Sequence, residues 1–213
     1  MKIALVMEWS TSARNEIAAE VLEKVCAANG HTFVNYGQFD AEDHRQTYNQ
    51  NAIFIGALLN SGAADMVITG CGTGSGAMLA ANAMPGVQCG LVADPADTYL
   101  FTQINGGNCL SFPFAKGWGW AAEVNFEYML EKLFVKAPGG GYPPAAAASE
   151  QRNAALLNKL KAASHRDFKE ILACEDPEVH DIVVNAFGGK RLELFKANCP
   201  DAEMIAAVEK ALA

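Results

Sequence analysis

Residues Thr69 to Asn82 read TGCGTGSGAMLAAN, which sets one cysteine, Cys71, among glycines at 70, 72, 74 and 76. A thiolate is a strong nucleophile and can also serve as a general base. Glycines let the backbone approach a ligand closely and leave N–H groups free to hold an anion. The apolar run Met66 to Thr69 precedes the loop and a helix-like stretch follows it. Strand, glycine turn and helix in that order place the thiol beside a helix N-terminus, which favours negative charge. The chemistry on offer is attack or proton abstraction by Cys71 on a phosphorylated or enolate-forming substrate, with loop amides taking the developing charge. A dinucleotide fingerprint fits less well. G-x-G-x-x-G fails from Gly70, puts Ala77 in the last position from Gly72, and would follow the third strand rather than the first. The chain contains no G-x-x-x-x-G-K-[ST].

The elements that must hold this loop alternate between two periods. KIALVM (2–7), HTFVNY (31–36), MVITG (66–70), VQCGLVA (87–93) and NCLSF (108–112) read as strands. Between and after them, 12–29, 48–59, 76–83, 96–104 and 119–134 carry helical spacing. The pattern predicts right-handed βαβ units and an open parallel sheet of five strands covered on both faces, with ligand beyond the carboxyl ends of the strands. Glu8, Cys71, Asp94 and 105–107 are expected at those ends. The expected core is 1–137. A linker follows over 138–149, rich in glycine, proline and alanine, and then a helical extension over 150–213. Helices are predicted there over 150–163, 167–174, 177–187, 190–196 and 201–213, with Ser164 and Asp201 as N-caps. The extension is expected to pack on the core or on a second subunit.

Composition narrows the function classes. Of 213 residues, 51% are hydrophobic and 19% charged, which is a globular balance. A net charge of -8 argues against nucleic acid or an anionic membrane as partner. No apolar run reaches the roughly 18 residues of a membrane span. The start, MKIALVMEW, reads as a first strand rather than a signal peptide. Six cysteines without CxxC pairs point to reduced thiols in a cytoplasmic protein. The four histidines show no i,i+4 pairing, and no metal or cofactor is expected. The FPFAKGWGW stretch (112–120) reads as packing surface, with Lys116 the nearest basic residue after the fifth strand.

The string GCGTGSGAMLAAN, followed by PGVQCGLVADPADTYLFTQINGGNCLSF, resembles the ribose-5-phosphate isomerase B and galactose-6-phosphate isomerase family over roughly residues 1–135. The resemblance implies a Rossmann-like three-layer α/β sandwich and aldose–ketose isomerisation of a sugar phosphate through an enediolate, without cofactor. It implies Cys71 as the base, with Thr73 counted beside it as catalytic. Gly72, Thr73, Gly74, Ser75 and Gly76 correspond to the anion-hole loop. Asn105 corresponds to the asparagine of an H-N-D turn that contacts substrate hydroxyls, Tyr48 to a tyrosine lining the sugar pocket, and Arg152 to a phosphate-gripping arginine. The family's site is built across subunits, so a homodimer or dimer of dimers is implied.

Several positions depart from the family pattern. An Asp-His pair after the first strand is replaced by Glu8-Trp9, where Glu8 can still bind hydroxyls and Trp9 narrows the pocket. The ring-opening histidine of the H-N-D turn is Ile104, its aspartate is Gly106, and a second phosphate arginine falls on Ala148. Three readings follow. The substrate is acyclic, such as a tetrose or tetrulose phosphate. Alternatively another group, Glu8, His31 or His44, opens the ring of ribose 5-phosphate. In the third reading the activity is lost and a sugar-phosphate-binding or regulatory protein remains. The first has the simplest chemistry.

Overall fold

The computed structural model describes residues 1–213. Five strands form the sheet: β1 (Lys2–Met7), β2 (Thr32–Asn35), β3 (Met66–Cys71), β4 (Cys89–Leu91) and β5 (Cys109–Pro113). All pairings are parallel, in the order β2-β1-β3-β5-β4. Every residue of β3 is buried, as a central strand covered on both faces requires. Strand alternation divides the core. Ile3, Leu5 and Met7 join Ile68, Leu110 and Phe112 on one side, while Ala4 and Val6 join Val67 and Cys109 on the other.

Helices α1 (Asn15–Ala28) and α5 (Ala122–Leu133) cover the first side, and α2 (Tyr48–Asn60) and α3 (Ser75–Asn82) the second. A 3-10 turn, Trp9–Arg14, leads from β1 into α1, so that helix starts later than its periodicity suggests. Helix α4 (Pro95–Leu100) ends in a π-turn over Phe101–Asn105. Asn82, last residue of the AAN string, has a structural task. Its amide accepts from Cys89 N at 3.0 Å and donates to Cys89 O at 2.8 Å, tying α3 to β4.

The extension begins earlier than expected. Helix α6 spans Ala147–Ser164, so its first turn lies inside the stretch read as linker. Then come α7 (Phe168–Leu172), α8 (Pro177–Ala186), α9 (Arg191–Asn198) and α10 (Ala202–Ala211). Asp201 caps α10, accepting from Glu203 N and Met204 N. Ser164 does not act as an N-cap. It closes α6, and Asp167 caps the next helix by accepting from Lys169 N. Phe168, Val183, Phe187, Phe195, Met204 and Val208 share one hydrophobic cluster with Ala4, Val6 and Phe54. The extension therefore enlarges the core on the α2 side. Gly56 makes this possible, because a Cβ there would stand 2.4 Å from the Phe168 ring. No residue of α6 is buried. It is fastened instead by the Lys161 ammonium, which donates to the carbonyls of Asn82 and Val87.

Candidate active site

Strands β1 and β3 are neighbours, yet the chain leaves them toward opposite faces, into α1 and α3. Such a divergence opens a crevice at the carboxyl ends of the two strands. Glu8 and Trp9 follow β1 there, and Cys71 ends β3. The N-terminus of α2 brings in Tyr48, positioned by a capping box in which Thr47 and Gln50 satisfy each other's first-turn groups.

Tyr48 and Cys71 meet at Gly76. The point where its Cβ would stand is 3.4 Å from Tyr48 Cδ1 and 3.8 Å from Cys71 Sγ. Cys71 is only 8% exposed, with its Sγ on the Gly76 side. Gly74 adopts the left-handed region at φ +77°, and a Cβ there would stand 2.4 Å from Leu91 Cδ1. The turn therefore needs glycine on both counts. Three of the loop's carbonyls are occupied. Cys71 O accepts from Phe114 N, Gly72 O from Ala115 N and Lys116 N, and Gly74 O from Met78 N and the Ser111 hydroxyl. The N–H groups of Gly72, Thr73 and Gly74 have no acceptor within the chain. Three free donors beside a thiol, at the start of a helix, can hold an anion.

Glu8 is buried, and its carboxylate accepts from the Ser10 hydroxyl. Trp9 N donates to Gln46 O at 2.9 Å. The Arg45 guanidinium lies over the Trp9 indole, 4.2 Å from its centre. Sequence reasoning did not single out Arg45 or Gln46. The available signal was their position, three and two residues ahead of Tyr48.

Two expected site residues lie elsewhere. Asn105 precedes β5 and so sits at the amino edge of the sheet, not at a carboxyl end; the strand runs away from it. With Ile104 it lines a cavity of about 200 Å³ closed by Glu150, Asn153, Ala154 and Leu157 of α6. Arg152 is exposed on the same helix. Neither belongs to the Cys71 crevice. His31 opens β2 at the amino edge, where the Met1 ammonium lies 3.2 Å from its Nδ1. Burial, then the positive terminus, pulls its pKa below the ordinary value. His44 bonds to Asn185 of α8 through Nε2. Lys116 lies beyond the glycine loop, lining a cavity of about 410 Å³ with Thr73, Asp94 and Trp118. No three His, Cys, Asp or Glu side chains converge as a metal-ligand set.

Residues 9–134 match the family model described as Ribose/Galactose Isomerase. The chain belongs to the ribose/galactose isomerase family. A 4-deoxy-L-threo-5-hexosulose-uronate ketol-isomerase, solved with a tartrate, is 46% identical over 100% of this chain and 99% of its own, with a TM-score of 0.94. A ribose-5-phosphate isomerase from Vibrio parahaemolyticus is also 46% identical over 100% and 99%, with a TM-score of 0.93. The type B ribose 5-phosphate isomerase of Trypanosoma brucei is 20% identical over 98% of its length but only 76% of this chain, with a TM-score of 0.62, and shares the fold. As a member of the ribose/galactose isomerase family, this chain is an isomerase on the five-stranded α/β fold of its relatives. No helix is long and apolar enough to cross a membrane.

Proposed function

We propose that this isomerase interconverts the aldose and ketose forms of an open-chain sugar carrying a terminal anionic group, through an enediolate. The observation that carries the reading is the Cys71 thiol set beside the three unpaired N–H groups of Gly72, Thr73 and Gly74. The Cys71 thiolate removes the proton from the carbon next to the carbonyl and returns it to the neighbouring carbon. The loop amides, with Ser75 and Gly76 at the helix start, hold the oxygen on which charge develops. The Thr73 hydroxyl and the Glu8 carboxylate serve the second oxygen of the ketol. Tyr48 and Trp9 wall the pocket, and no cofactor takes part.

An open-chain substrate is favoured by Ile104, which stands where the resemblance places a ring-opening histidine. A full-length relative at 46% identity, named for a hexosulose-uronate ketol, supports an acid such as that uronate. Another equally similar relative, named for ribose 5-phosphate, supports a sugar phosphate, either ribose 5-phosphate or an acyclic tetrose phosphate.

The active unit we propose is a homodimer, or a dimer of dimers, in which Asn105 and Arg152 of one protomer complete the Cys71 site of the other. Their position at the amino edge, apart from Cys71, supports this. So does the surface near them. Leu156, Leu157 and Leu160 of α6 and Leu79 of α3 are all exposed, and Lys161 ties these two helices to one face. The proposed setting is cytoplasmic.

The test is solvent exchange. Wild-type protein and Cys71→Ala are incubated in deuterated water with a panel of tetrose, pentose and hexose phosphates and 5-hexosulose uronates, and exchange at C1 and C2 is followed by NMR. Exchange by the wild type, lost in the variant, is the expected result. Silence across the panel, with ligand-induced thermal stabilisation retained, would turn the reading toward a sugar-binding protein.

A further inference from the structure

The segment between β2 and α2, residues 36–47, is braced by the C-terminal extension. Gln46 is 1% exposed and donates through Nε2 to Asn185 O and Gly188 O, both at 3.3 Å. Its backbone N donates to the Gln38 amide, which in turn donates to Asp43 O at 2.9 Å. His44 packs so closely on the Gly188–Gly189 turn that a Cβ at Gly188 would stand 2.2 Å from the ring. Beneath them, Arg191 of α9 is fully buried. It donates to Tyr36 O and Met7 O, holding the carboxyl ends of β2 and β1.

The residue this brace presents is Arg45. It is exposed and lies 4.2 Å above Trp9, and no carboxylate and no hydrogen-bond acceptor of the chain engages its guanidinium. Residues 45 to 48 lead directly from Trp9 to the Tyr48 ring against Gly76. Three residues span at most about 10 Å, the scale of an extended sugar chain with one end at Cys71. A guanidinium set over an aromatic ring, with its donors free, suits a carboxylate or phosphate.

We infer that Arg45 binds the anionic end of the substrate, and that the extension positions it for this through Gln46 and the Gly188–Gly189 turn. The inference rests on the ketol-isomerase reading for its substrate, but its test does not require turnover. Calorimetry on the full chain uses gluconate, glucitol 6-phosphate and uncharged glucitol as probes, with the wild type, Arg45→Gln and Arg45→Lys. The wild type is expected to bind one of the two anions about 10- to 100-fold more tightly than glucitol. Whichever anion it prefers identifies carboxylate or phosphate as the recognised group. Arg45→Gln lowers that preference severalfold without weakening glucitol, the share due to Arg152 remaining, and Arg45→Lys restores part of it. In turnover, the loss in Arg45→Gln falls on KM rather than kcat. A wild type without anion preference, or an Arg45→Gln variant that keeps it within about twofold, overturns the inference. Anion preference lowered severalfold in Arg45→Gln, together with no deuterium exchange by the wild type, supports it while sinking the isomerase reading.

Discussion

Gly76→Ala separates stability from catalysis at a single methyl group. The added Cβ would lie 3.4 Å from Tyr48 Cδ1, 3.6 Å from Tyr48 Cε1 and 3.8 Å from Cys71 Sγ, all ordinary contacts. Gly76 sits in the first turn of α3 and is not among the positive-φ glycines. Alanine there removes conformational freedom from the unfolded chain and stabilises the helix by roughly 0.5–1 kcal/mol. For a chain of this size that corresponds to a rise in Tm of about 1–4 °C. The same methyl fills the space between thiol and phenol where the proposed mechanism seats the reacting carbon. Displacing a substrate by about 1 Å costs on the order of 100-fold in rate. Scanning calorimetry and the exchange assay on one preparation read both effects. Full turnover with a raised Tm would show that substrate does not use this space. A lowered Tm would show that the methyl does not fit and refute the packing argument.

Cys71→Ala should lose at least about 100-fold in exchange rate, the scale of a general base, with its thermal transition intact; unchanged turnover would remove Cys71 from the mechanism. Leu157→Glu with Leu160→Glu should turn the proposed dimer into a monomer by sedimentation and lower activity with it, since Asn105 and Arg152 would no longer reach a partner's thiol. Burial pushes the Cys26 thiol from its ordinary value of 9.0 up to about 11. The stabilisation from keeping it protonated is complete below pH 9 and is lost as the pH climbs toward 11. The urea midpoint should therefore fall over that range, and Cys26→Ala should flatten the decline; an identical slope in the variant would contradict it.

Much of the fold was legible because its determinants are local. The continuous apolar runs at 2–7 and 66–71 can be satisfied only by strands covered on both faces, and both are central in the sheet. The glycines at 74 and 76 signalled a tight turn with close approach. One adopts a left-handed backbone, and the other leaves room beside the thiol. The placing of Glu8 and Cys71 at the carboxyl ends of β1 and β3 followed from the order of strands and helices, whereas Tyr48 came from the family resemblance alone. That rule failed for Asn105 because a turn just ahead of a strand lies at its amino edge.

Other features needed the tertiary structure. Alanine-rich helix α6 looked like linker at its start because nothing in its first turn is buried, and burial is what periodicity reports. The extension's hold on the crevice was invisible, since its bonds join Gln46 to Gly188 and Arg191 to Met7 across more than a hundred residues. No spacing rule relates such positions. The chain by itself determined the strands, the glycine cradle and the thiol, because each is set by neighbours a few residues away. Only the packed molecule decided that Arg45 stands over Trp9 and that Arg152 stands apart from Cys71, because those placements depend on how distant helices settle on one shared core.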